Sequence, residues 1–68
     1  MTENAEKIFD MLSLEPYEDF KIDGCEDKYY IDSNLELYVM SYNPYTVTKC
    51  PKLLIEIINM PERIIKLP

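Results

Sequence analysis

The hydrophobic period of this chain changes early, and a proline marks the change. Ala5, Ile8, Phe9 and Leu12 recur at i, i+3, i+4 and i+7, the spacing of one apolar helix face. From Phe20 the period drops to two, with Phe20 and Ile22 alternating with Lys21 and Asp23. Between the two patterns, Pro16 biases Glu15 toward extended backbone and closes the helix off. A chain that starts as an amphipathic helix and continues as alternating strands buries both apolar faces by laying helix on sheet. That requirement selects an α+β fold.

The remaining elements follow from the same patterns. Thr2 is placed to cap a helix over residues 3 to 12, whose first turn carries Glu3 and Glu6 at the positive end of the helix dipole. Ser13 is a soft stop after it. Asp23-Gly24 is a turn signal. A second strand, Lys28 to Asp32, sets Tyr29 and Ile31 on one face and Tyr30 on the other. Ser33-Asn34 forms a short turn into a third strand, Leu35 to Tyr42. There Leu35, Leu37 and Val39 face inward, and Glu36, Tyr38, Met40 and Tyr42 face outward.

Asn43-Pro44-Tyr45 is expected to break the sheet, with Thr48 capping a second helix and Pro51 in its first turn. Cys50, Leu53, Leu54, Ile57 and Ile58 form its apolar stripe, Ile55 lies off it, and Pro61 ends it. Glu62 to Leu67 reads as a last strand with Ile65 and Leu67 inward. The expected fold is therefore a small, mostly antiparallel sheet with two helices on one face, in the order α-β-β-β-α-β. Residues 1–68 make a single domain. A chain this short buries only about 60% of its unfolded surface. Its core is thin, and pairing into a homodimer is a natural way to extend it.

Charge and missing residue types exclude several kinds of chemistry. The chain has no histidine, which removes the commonest general base and transition-metal ligand, so the expectation is a protein that is not an enzyme. Net charge is −6, unevenly spread. Residues 1 to 36 hold eleven acids against three lysines, and residues 37 to 68 hold two acids against four bases. Such a chain is repelled by free nucleic acid and by anionic membranes, so a partner chosen electrostatically is basic. The N-terminal stretch has no basic, apolar signal-peptide pattern, and no stretch reaches the length of a membrane span. With two cysteines that form no CxxC, the expected location is the cytoplasm, with reduced thiols.

Two features could carry function. The acids of residues 15 to 32, above all Asp19, Asp23, Glu26 and Asp27, are close in sequence and could share one end of the molecule. They fail the calcium-loop pattern, because the glycine follows the second acid and strand alternation buries the residues between. They read as a solvated turn, or as a phosphate-like array that mimics nucleic acid. No cofactor or metal site is expected: Cys25 lies beside acids, Cys50 lacks a base, and no glycine-rich loop exists to cradle a phosphate. The second feature is the outer sheet face, where Tyr30, Tyr38, Met40 and Tyr42 are the expected partner-binding residues. Tyrosine and methionine favour interface cores, although tyrosines also decorate exposed sheets as cross-strand pairs.

The order of landmarks resembles a known group. AEKIFDMLSLEP leads into EDFKI, YYID and LELY, then a leucine-isoleucine helix, and the chain ends in ERIIKLP. This resembles small uncharacterised proteins encoded by phages and prophages of Gram-positive bacteria, which carry an MLGLEPGEEF-like helix end and an IIKLP-like terminus. Ser13 and Tyr17 stand where that pattern has glycines. The resemblance lends no catalytic residues and implies expression in the bacterial cytoplasm during infection or lysogeny. The expected function is that of a non-enzymatic accessory protein that binds a bacterial or phage protein, such as a host defence or regulatory factor. The alternative is an acidic nucleic-acid mimic that blocks a nuclease or DNA-binding protein.

Overall fold

A computed structural model describes residues 3–42 and 44–67. The elements run α1 (Glu3–Leu12), β1 (Phe20–Ile22), β2 (Lys28–Ile31), β3 (Leu37–Ser41), β4 (Thr46–Lys49), α2 (Pro51–Asn59), a 3₁₀ turn (Pro61–Arg63) and β5 (Ile64–Lys66). Every strand pair is antiparallel, and the sheet order is β4-β3-β2-β1-β5. Phe9 and Leu12 of α1 and Ile57 of α2 join Phe20, Ile22, Tyr29, Ile31 and Leu37 in one buried cluster. Both helices therefore cover the same face of the sheet. The expected α+β class holds, with one strand more than the sequence reading placed.

The end of α1 explains how the chain enters the sheet. Ser13 has a left-handed backbone (φ 59°). The Leu14 N–H donates to the Phe9 carbonyl and the Ser13 N–H to the Asp10 carbonyl, both at 3.1 Å. These are the two bonds of a Schellman cap, whose hydrophobic partners, Phe9 and Leu14, both sit in the core. The Thr2 cap proposed for the start of this helix lies outside the described residues.

Four expectations are corrected. Residues 46 to 49 are a strand rather than a lead-in to α2, and Thr48 caps nothing. Cys50 holds the N-cap position, without a side-chain hydrogen bond, and Pro51 opens the helix. Thr-Val-Thr is β-branched and pairs with β3 from Ser41–Thr46 to Tyr38–Lys49, so pairing outweighs the capping preference of threonine. Leu35 belongs to a turn, in left-handed conformation (φ 62°), although its side chain still packs on the core. The Asp32 carboxylate accepts from the Asn34 and Glu36 N–H groups at 2.9 and 3.0 Å and shapes that turn.

The third correction concerns β5. The 3₁₀ turn advances the strand phase by one residue, so Ile64 meets Ile22 and packs against the core. Ile65 lies opposite Lys21, on the outer face, and is 46% exposed. Leu67 shares its phase and lines an outer-face depression with Lys21 and Lys28. Arg63 anchors this turn in both directions: its carbonyl accepts the Asp23 N–H at 2.8 Å, and its guanidinium donates to the Asp23 carbonyl at 3.1 Å. The fourth correction separates the acids. Asp19 precedes β1 and Asp23 follows it, so they stand at opposite ends of the strand, about 13 Å apart at ~3.3 Å per residue. Asp23, Glu26 and Asp27 stay together around the β1–β2 turn, all exposed.

Candidate functional site

The helix-free face of the sheet is built row by row from strand register. One row reads Tyr30, Tyr38, Lys49 across β2, β3 and β4. The next reads Lys28, Met40, Val47 across β2, β3 and β4, and on the β1 side of the sheet Lys21 pairs with Ile65 of β5. Alternation places Tyr29, Ile31 and Leu37 inward, where each is at most 5% exposed, and so turns Tyr30, Tyr38 and Met40 outward. Three of the sequence-predicted quartet, Tyr30, Tyr38 and Met40, thus share one face, and Tyr42 follows one residue after the end of β3.

Its members differ in accessibility. Tyr30 and Tyr38 are half-buried and stack on each other, with ring centroids 5.2 Å apart. Tyr42 is 60% exposed and meets Tyr45 at 5.3 Å beside the β3–β4 connection. Met40 is only 8% exposed although it points away from the helices, because it lies between Lys28 and Val47 in the middle of the sheet. It supports this face from below more than it offers a contact.

Tyr17 is a member that periodicity could not reveal. It lies in the loop before β1 with a left-handed backbone (φ 66°), and its N–H donates to the Ile31 carbonyl at 2.8 Å. This posture lays its ring against Tyr30, centroids 6.1 Å apart, so three tyrosines form a continuous stack, Tyr17–Tyr30–Tyr38. A bulky residue held at positive φ stores strain that its surroundings must offset. No periodic signal in the sequence marks it.

A polar network closes one end of the stack. The Tyr38 hydroxyl donates to Glu36 Oε2 at 2.9 Å, and Lys49 Nζ donates to Glu36 Oε1 at 3.3 Å. The hydrogen bond to Glu36, then desolvation, then the charge of Glu36 raise the Tyr38 hydroxyl to a pKa of about 12. Tyr38 therefore stays neutral and keeps its donor throughout the physiological range. The face also carries Lys21, Lys28 and Lys49, a local basic character that the whole-chain charge conceals.

Among the described residues no group of three or more His, Cys, Asp or Glu side chains could hold a metal ion. Cys25 and Cys50 are free thiols, both half-buried against the core. Among the described residues no helix is long and apolar enough to cross a membrane. No protein-family model, curated protein or solved structure matches this chain.

Proposed function

We propose that this protein is a non-enzymatic phage or prophage accessory protein that acts by binding another protein through its outer sheet face. The observation that carries this reading is the Tyr17–Tyr30–Tyr38 stack on the side of the sheet that neither helix covers. Stacked rings are rigid before a partner arrives, so little side-chain entropy is lost on contact. Tyrosine also offers apolar area and a hydroxyl together, which suits a surface that must be wet when free and dry when bound. The partner in this reading is a bacterial or phage protein, such as a host defence or regulatory factor. The net charge of −6 favours a partner that is basic overall, although the tyrosine face itself carries lysines.

The test is affinity capture from a lysate of infected bacteria, comparing the native chain with a Tyr38→Ser/Tyr42→Ser variant. Loss of a specific captured protein in the variant supports this face; unchanged capture removes it. The second reading, an acidic nucleic-acid mimic, draws only on the trio Asp23, Glu26 and Asp27, because Asp19 stands at the other end of β1. It requires capture that weakens steeply with salt and fails when those three become amides.

A further inference from the structure

The register that sets Phe20 opposite Tyr29 sets Lys21 beside Lys28 on the adjacent strand. Like charges held as neighbours on adjacent strands destabilise a sheet. The four ion pairs among the described residues use Lys7, Lys49, Arg63 and Lys66, and none of them involves Lys21 or Lys28. This is costly placement in a chain with nearly twice as many acids as bases. The two lysines line an open depression of about 540 Å³ together with Glu18, Asp19 and Leu67. Glu18 is engaged with Lys66 at 3.6 Å, leaving Asp19 as the only carboxylate there without an ion pair among the described residues. Beside Lys21, Ile65 presents an exposed apolar side chain.

We infer that this depression is a binding site for an acidic side chain of a protein partner, an aspartate or glutamate followed by an apolar residue. The carboxylate sits between Lys21 and Lys28, and the apolar residue settles on Leu67 and Ile65. The inference rests on the outer face being a docking surface and adds the chemistry that the partner brings to it. A peptide carboxylate fits better than a nucleic-acid phosphate. Asp19 at the rim and the net charge of −6 repel a polyanion, whereas one carboxylate in a mixed segment meets two cations at close range.

The experiment is an NMR titration of the isotope-labelled full chain with the capped peptide acetyl-Glu-Leu-Glu-Leu-amide, run beside its glutamine counterpart. Saturable amide shifts at Lys21, Lys28 and Leu67 are expected with the glutamate peptide only. Replacing Lys21 or Lys28 by Gln, which removes one of two neighbouring charges and leaves the fold intact, weakens binding by about tenfold, the scale of one charge-assisted hydrogen bond. Asp19→Asn strengthens it. Absent shifts, equal shifts with the glutamine peptide, or tighter binding of an oligothymidylate would each overturn the assignment. Because the peptide probes the depression alone, its failure leaves the tyrosine-face reading to be decided by the Tyr38→Ser/Tyr42→Ser comparison.

Discussion

Tyr30 and Tyr38 stand directly opposite each other on β2 and β3, their rings 5.2 Å apart and 23° from parallel. Aromatic pairs in such offset arrangements contribute about 0.5–1.5 kcal/mol beyond the area they bury. A double-mutant cycle with Tyr30→Leu and Tyr38→Leu, read by chemical denaturation, should return a coupling in that range. Additivity within about 0.3 kcal/mol would mean that the rings are neighbours without being an energetic unit.

Ser13 offers a second stability test, because its role is purely conformational. It occupies the left-handed C′ position of a Schellman cap at φ 59°, where a non-glycine residue is disfavoured by about 1–2 kcal/mol. Ser13→Gly should therefore stabilise the fold by about 0.5–1 kcal/mol, after the extra chain entropy of glycine is discounted. Tyr17→Gly relieves the same kind of strain but removes the ring that stacks on Tyr30, so its gain should be smaller or reversed. Equal gains from both would show that the Tyr17 ring adds nothing to the fold.

Raised hydroxyl pKa values make a prediction at high pH. Tyr38 is shifted from 10.0 to about 12, first by its hydrogen bond to Glu36, so the fold favours the protonated form. The associated stability is fully present below pH 10 and is lost as pH rises through about 12. Tyr29, raised by burial and then by its contact with Cys25, resists ionisation in the same direction. In an ultraviolet titration of the tyrosinates, Glu36→Ala should move one late-titrating tyrosine back toward the ordinary value. An unchanged titration would show that Glu36 does not hold Tyr38.

Much of this architecture is legible in the residues, and the exceptions have physical causes. Helix α1, strand β1 and the inward–outward division of Tyr29 and Tyr30 follow from period alone, because one register satisfies every apolar residue at once. Strand β4 was obscured because Thr48 and Pro51 offer a credible helix start, while Thr46-Val47-Thr48 offers an equally credible strand. Only the neighbouring edge of β3 decides between them. The phase of β5 depended on a 3₁₀ turn that uses an extra residue, which alternation cannot foresee. The candidate face was legible in Tyr30 and Tyr38. Tyr17 was not, because a ring aimed by a positive φ leaves no periodic trace.

Paired affinity capture tests whether the tyrosine face binds a protein. The native chain and the Tyr38→Ser/Tyr42→Ser variant, each first checked for cooperative thermal unfolding, would be used as bait in the same infected-cell lysate. At least one protein should be retained by the native chain and lost by the folded variant. Identical sets of captured proteins from the two baits would contradict it.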